Sequence, residues 1–343
     1  DIVRHAGRLY LAWRTGPFHF ASPDVVMHVV STEDEKTWRY ETSFSLGTDL
    51  RECRFLSFNG RLFLYFSVLG TNPLDFQPSG MRVSEYMGPG QWTDPEPVYE
   101  EGFIGWRTKT VDGVPYMLAY KGGENIFDFN GEPIIVHWLT TQDGRNWEPV
   151  IPGQPEVLRG GTSETDFVFL ADGSLVAVSR DEAGDDGDWG MKICRAPATD
   201  LGNWECAHDP KKYDSPLLFR HQNDVYLIGR RNLTDTGDYE FDFDGKDTLP
   251  PGLVTIVYEL DYWVNPKRCS LWRVDPTTLT VEWVLDFPSA GDTCFAAMDP
   301  LGNGRYLVYN YTSPYDTEED PFWLQGQLGP TSIYRISLSL PIP

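Results

Sequence analysis

Apolar and polar residues alternate with a period of two through most of the chain, and Gly-containing turns break the alternation, which predicts strands rather than helices. Six times a turn is followed by an apolar-aromatic run: GRLYLAW from Gly7, GRLFLYF from Gly60, GVPYMLAY from Gly113, GSLVAVS from Gly173, DVYLIG from Asp224 and GRYLVYN from Gly304. The starts lie 53, 53, 60, 51 and 80 residues apart. Each run is preceded by another strand (IVRHA, CRFLSF, IGWRTK, DFVFLA, PLLFRH, CFAAM). A third follows after a loop of variable length (VVMHVVS, MRVSEY, IIVHWLT, MKICRA, SLWRVD, SIYRIS). In five units a fourth strand follows, usually around Trp: TWRYETSF, QWTDPEPV, NWEPVI, NWECAH and VEWVL. The sixth unit ends after its third strand.

Six such units with no sustained helical period predict an all-β fold, a six-bladed β-propeller of four-stranded antiparallel blades. The blades fall at about 1–46, 47–99, 100–152, 153–209, 210–288 and 289–343, in a single domain over 1–343. With the strands lettered A to D outward from the axis, the A to B turns are short. The B to C loops are long, at 15–25, 69–79, 121–133, 181–188, 232–268 and 313–330. A-strand starts and B-strand ends share the face that carries those loops, where binding and catalytic residues concentrate.

Composition agrees with the strand pattern: aromatics reach 14%, and 32 Gly and 26 Pro suit short strands between turns. The formal net charge of −23 disfavours nucleic-acid and anionic-membrane partners. No apolar run is long enough to span a bilayer, and the opening DIVRHAGRLYLAW reads as a strand and not as a signal peptide. Five cysteines are too few for a disulfide scaffold or a paired zinc motif. Cys194 and Cys206 do flank one predicted turn at mirrored offsets, which predicts a disulfide between neighbouring strands and three remaining thiols. Asn232-Leu-Thr234 and Asn310-Tyr-Thr312 fit the glycosylation pattern.

The expected site residues lie at the elaborated face. From A-strand starts come Arg4, Glu52, Arg54, Arg107, Glu164, Asp166, Asp214 and Asp292; from B-strand ends come Arg14, Lys121, Arg180, Asp181, Glu182, Arg230, Arg231 and Tyr311. Glu164, Asp214, Asp292, Arg4, Arg54 and Arg107 are expected in one basin. Charges of both signs there must pair with one another or with a polar ligand. Glycoside cleavage uses two carboxylates, one protonated and one ionised, and strand starts of different blades supply such pairs. Guanidinium groups suit an anionic sugar such as a uronic or ulosonic acid. Trp106, Trp189, Trp263, Trp323 and Phe18 could stack on sugar rings or pack between blades. The six His show no metal spacing and no cofactor is called for, although DEAGDDGD (181–188) and DFDGKD (242–247) carry oxygen donors suited to Ca²⁺.

Certain motifs resemble a known family. STEDEKTW (31–38) and TTQDGRNW (140–147) resemble the Asp-box turn S-x-D-x-G-x-T-W of sialidases and related six-bladed propellers, with Asp34 and Asp143 one place late and Glu35 in the Gly position. SETDFVFLADGSLVAVSR (163–180) resembles the sialidase blade that carries the catalytic Glu and a substrate Arg. The resemblance implies those roles for Glu164 and Arg180. It also implies carboxylate binding by Arg4 and by Arg230 or Arg231, and an acid/base role for Asp24. The family's nucleophilic Tyr is replaced by Phe295. Glu52, in RECRF, also resembles the Arg-Asp-Pro signature of five-bladed furanosidases, so Glu52, Asp214 and Asp292 stay open as partners of Glu164. The implied function is an exo-acting glycoside hydrolase on an acidic glycan, secreted or periplasmic. The alternatives are a polysaccharide lyase acting on uronates and a non-catalytic glycan-binding propeller.

Overall fold

The computed structural model describes residues 1–73, 75–122, 132–186, 188–316 and 318–341. It is a six-bladed β-propeller, each blade an antiparallel sheet whose strands pair in chain order. Blade 1 comprises β1 (Ile2–His5), β2 (Arg8–Thr15), β3 (Val26–Thr32) and β4 (Trp38–Phe44). In blade 2, β5 (Leu50–Phe58), β6 (Arg61–Val68) and β7 (Gly80–Gly88) are followed by a split outer strand, β8 (Gln91–Trp92) and β9 (Glu96–Val98). Pro95 and Pro97 in TDPEPV remove backbone donors there, which explains the break. Blade 3 comprises β10 (Ile104–Val111), β11 (Val114–Lys121), β12 (Ile134–Thr141) and β13 (Trp147–Pro149); β14 (Glu156–Gly160) comes next in the chain. Blade 4 holds β15 (Thr162–Phe169), β16 (Leu175–Asp185), β17 (Asp188–Ala196) and β18 (Glu205–Asp209). Blade 5 holds β19 (Leu217–His221), β20 (Asp224–Asn232), β21 (Lys267–Asp275) and β22 (Thr280–Asp286). Blade 6 has three strands, β23 (Ala297–Gly302), β24 (Arg305–Thr312) and β25 (Ser332–Ser339), as its sequence implied.

The first hairpin turns explain why the sequence repeat is so visible. Ala6-Gly7, Asn59-Gly60, Asp112-Gly113 and Asn303-Gly304 all place both central residues at positive φ. That is the two-residue turn whose twist matches the flanking strands, and Gly takes its second position without a Cβ penalty.

One expectation fails. The loop between β20 and β21 contains an α-helix, α1 (Pro251–Val264), and a shorter α2 (Trp323–Leu328) lies between β24 and β25. Pro251 starts α1 where a missing N–H costs nothing. Its buried stripe is Val254, Thr255, Tyr258, Glu259 and Tyr262, a helical spacing interrupted by a Thr and an acid. Among the described residues no helix is long and apolar enough to cross a membrane. Of the predicted loop at 121–133, residues 123–131 lie outside the described residues.

The chain forms two compact units: unit 1 is Asp1–Glu124, His137–Glu156 and Ala297–Asp299, and unit 2 is Asn125–Val136, Val157–Ala296 and Pro300–Pro343. In unit 1, alternate residues of β2 and β3 (Tyr10, Ala12, Met27, Val29) pack against Phe55, Leu62, Leu64 and Phe66 of blade 2. In unit 2, Val176, Val178, Met191 and Ile193 pack against Leu218, Val225, Leu227 and Trp272. Each such side chain contributes about 1.5–3 kcal/mol through burial, which is what holds successive blades face to face. A separate aromatic cluster, Trp189, Tyr239, Tyr258, Tyr262 and Trp323, seats α1.

Candidate functional site

Unit 2 gathers a dense set of charged side chains. A bulge between Thr162 and Thr165 in β15 brings Glu164 into place. One Glu164 oxygen accepts the Ser215 N–H (2.7 Å) and the other is ion-paired with Arg180 (2.9 Å). Ser215 has φ +58, so a strained backbone aims that N–H. Arg180, in the middle of β16, also donates to Ser163 Oγ (3.1 Å) and pairs with Glu182 (3.1 Å), so its guanidinium spans two carboxylates.

Lys212 forms the next layer. Its ammonium lies 2.6 Å from Glu182, 2.7 Å from Glu259 on α1 and 3.9 Å from Asp214, and 4.2 Å and 4.5 Å from the Tyr239 and Tyr262 ring centres. Burial alone would discharge Lys212, but the surrounding carboxylates outweigh it and keep the ammonium charged. Burial also opposes the charge on Glu182, and Arg180 and Lys212 overcome it, holding that carboxyl well below its usual range. Glu259 goes the other way: burial pushes it up to about 7, Lys212 only partly offsets this, and Glu182 adds to it.

Asp214 sits just before β19 and is almost fully buried. One oxygen accepts from Arg230 (2.9 Å) and from the Tyr262 hydroxyl (3.0 Å); the other is buried with no hydrogen-bond partner. Arg230, at the end of β20, donates to the Thr293 carbonyl and lies 4.7 Å over the Trp323 ring. Nearby, the Tyr311 hydroxyl donates to Asp292 (2.9 Å), and the Asp292 N–H donates to Ser313 Oγ (3.0 Å).

Asp181 differs from all of these. It is buried opposite Thr162 on the same hairpin as Glu164, and the Lys192 ammonium lies 3.6 Å from one of its oxygens. Burial, then the neighbouring Asp185 charge, pushes it up to about 8, and Lys192 only partly offsets them.

In unit 1, Arg54 and Arg107 are buried in the middle of β5 and β10; Arg54 donates to the Trp106 carbonyl and lies 5.0 Å over the Trp106 ring. Glu52 is half-buried at φ +55, with one buried oxygen unpartnered. Arg4 departs from expectation. It is adjacent to the closing pair His5–Arg8 of the β1–β2 hairpin, so it lies at the short-turn end of its strand, partly exposed, and its Nε (2.9 Å) and NH2 (2.6 Å) both engage Asp299. The corresponding upper position of β1 is taken by Asp1, whose carboxylate accepts the Phe55 N–H (2.7 Å). Asp24 is exposed ahead of β3, its N–H bonded to Ser22 Oγ (3.2 Å).

Trp106, Trp189 and Trp323 are buried packing residues, Trp263 is half-buried and Phe18 is exposed. In the two acidic loops, Asp185 is paired with Lys192, and Lys246 lies 3.8 Å from Asp242. Neither glycosylation triplet is accessible: Asn232 accepts from Lys267 (2.9 Å), and Asn310 bonds Thr293 (3.0 Å) and the Phe295 N–H (3.1 Å), both inside the fold. Cys194 and Cys206 are register partners and form the expected disulfide. A second joins Cys269 to Cys294, leaving Cys53 as the free thiol, so the expected count of three thiols becomes one. Sequence reasoning missed Lys212 and Glu259. Lys212 reads as loop charge in DPKKYDSP, and Glu259 was hidden with its helix.

A cleft of about 330 Å³, lined by Asp224, Arg273, Asp275 and Glu282, lies at the hairpin-turn end of blade 5.

No family model and no curated protein matches the chain. Solved structures do. A protein of unknown function from Dyadobacter fermentans superposes with a TM-score of 0.63 at 14% identity, over 99% of this chain and 94% of that one. A Trypanosoma rangeli sialidase in complex with sialic acid gives 0.57 at 12% identity, over 92% of this chain and 52% of the sialidase, so this chain spans about half that protein's length. The structure of YjhT gives 0.56 at 12% identity, over 99% and 94%. The fold is therefore a sialidase-like propeller.

Proposed function

We propose that the protein is an exported carbohydrate-active enzyme, an exo-acting glycoside hydrolase that cleaves an acidic glycan with residues of unit 2. The observation that carries the reading is the β15–β16 hairpin, which bears two buried carboxyl groups in opposite states. Glu164 is charge-paired with Arg180, and Asp181 is pushed up to about 8. Glycoside cleavage asks for that combination, one acid to protonate the leaving oxygen and one carboxylate to act as base or nucleophile. Arg180 and Arg230 supply planar donors for a sugar carboxylate. The sialidase-like fold and the two disulfides are in keeping with a secreted glycosidase.

The test is kinetic, on a panel of uronic- and ulosonic-acid glycosides. Glu164→Gln keeps shape but exchanges no proton, so kcat should fall about a hundredfold or more with KM little changed. Arg180→Ala should raise KM for an acidic substrate and spare a neutral analogue. Reducing sugar released without a rise in ultraviolet absorbance identifies a hydrolase; a rise identifies a lyase. Full turnover in Glu164→Gln would overturn the assignment and turn attention to Glu52, Asp214 and Asp292. A non-catalytic glycan-binding reading is favoured by Phe295, which has no nucleophilic group; binding without product release in either assay would establish it.

A further inference from the structure

Apart from the Lys212 network, three side chains from separate segments of unit 2 converge. Asp188 opens β17 at the tip of the β16–β17 hairpin, opposite Asp185. His208 lies on β18 opposite Lys192, and Glu240 lies on the segment between β20 and α1. One donor atom from each falls within 4.8 Å of the others, and His208 Nε2 is 2.9 Å from a Glu240 oxygen. Donors held about 2.1 Å from a tetrahedral ion stand roughly 3.4 Å from one another, so this spacing needs only small side-chain shifts to close on a cation.

The surroundings fix the ligand set. Lys246 takes one Glu240 oxygen (2.6 Å), and the Trp189 N–H approaches the other (3.1 Å) and orients it towards His208. His208 Nδ1 is buried with no hydrogen-bond partner, so the ring's orientation rests on the Nε2 side, where Glu240 lies. An imidazole nitrogen with two carboxylates suits zinc-type ions better than calcium, which prefers oxygen donors throughout.

We propose that Asp188, His208 and Glu240 bind one divalent transition-metal ion of the zinc type, which ties the β16–β17 tip and β18 to the segment leading into α1. The inference does not depend on the glycosidase reading, since none of the three residues is assigned to that chemistry.

The test uses the full, tag-free chain stripped with a chelator, titrated with ZnCl₂ and separately with CaCl₂ by calorimetry, with the melting temperature followed in parallel. One zinc per chain and a rise of a few degrees in Tm are expected, since a ligand that binds only the folded state raises its stability. His208→Ala and Asp188→Asn should each weaken zinc binding at least tenfold; should His208→Ala not fold, Asp188→Asn decides. No zinc binding by the wild-type chain, preference for calcium, or unchanged affinity in these variants would overturn the proposal.

Discussion

Glu182 from a strand and Glu259 from an inserted helix meet across one ammonium: Lys212 Nζ lies 2.6 Å from an oxygen of the first and 2.7 Å from an oxygen of the second. Two carboxylates on one buried cation cannot both be comfortably ionised. Glu182 keeps its charge through Arg180, and Glu259 retains its proton to about pH 7.

Glu259 and Asp181 should therefore pull stability down as pH rises, while the buried Lys267 amine, lowered to about 6, pulls it up above that pH. Glu259 is raised from 4.5 to about 7 and Asp181 from 3.8 to about 8, so between those values the folded chain holds protons that the unfolded chain has released. Their contribution is complete below about pH 4 and is lost as pH climbs through 7 and 8, at about 1.4 kcal/mol per pH unit for each group. Denaturant unfolding at pH 4.5, 5.5 and 6.5 should show the decline, and Glu259→Gln and Asp181→Asn should each flatten it. Parallel profiles for wild type and both variants would refute the assignment.

Thiol titration under denaturing, non-reducing conditions should find one reactive sulfhydryl, Cys53, and five after reduction. Three before reduction would mean that the Cys269–Cys294 bond does not form.

The turns after β3 and β12 share one hydrogen-bond pattern. Asp34 accepts the Lys36 and Thr37 N–H groups (2.9 and 2.7 Å), and Asp143 accepts those of Arg145 and Asn146 (2.8 and 2.7 Å). The left-handed position is Glu35 (φ +58) in one turn and Gly144 (φ +78) in the other. Glu35→Gly should stabilise by up to about 1 kcal/mol through relief of that strain. Gly144→Ala should cost at least as much, because a Cβ there would meet the Phe63 ring at 2.6 Å. Thermal melts of both variants check the pair, and an unstrained Glu35 would show as no gain.

Removing Asp214 should be far more damaging than removing a surface acid. Asp214→Ala strips Arg230 and Tyr262 of a shared acceptor inside the fold, and breaking a buried ion pair costs about 3–5 kcal/mol. Urea unfolding gives the number; a loss below about 1 kcal/mol would mean that Arg230 finds another partner.

Both glycosylation triplets should remain unmodified in a glycosylating secretory host, because Asn232 and Asn310 are committed to internal hydrogen bonds. Peptide mass spectrometry checks this, and a glycan on either asparagine would show that the segment is open before it folds.

The hairpins were legible because two-residue turns leave a strict signal: a left-handed pair, then alternation. Helix α1 was not, since TIVYELDYWV is rich in β-branched and aromatic residues and its buried stripe includes Thr255 and Glu259, so neither propensity nor apolar period marked it. Arg4 was misplaced because motif likeness carries no register; its pairing with Leu9, beside the turn, decides which end of the strand it occupies. Glu164 and Arg180 could be picked out as a pair from their hairpin. Lys212 could not, because its importance comes from three acids that reach it from elsewhere in the chain. Cys269 and Cys294 lack the mirrored offsets that exposed the other disulfide, being joined across the return through β22.

The Cys269–Cys294 bond ties together two segments that both touch one guanidinium. Cys269 is the cross-strand neighbour of Arg230, and Thr293, whose carbonyl accepts from Arg230, immediately precedes Cys294. A single sulfur–sulfur link thus fixes two walls of the arginine's seat, while the sheets on either side are held by their own cores. Handling the protein with a thiol reductant would slacken that seat and leave the blades standing, so a preparation that looks folded by every bulk measure can still present Arg230 in a different pose from the oxidised protein.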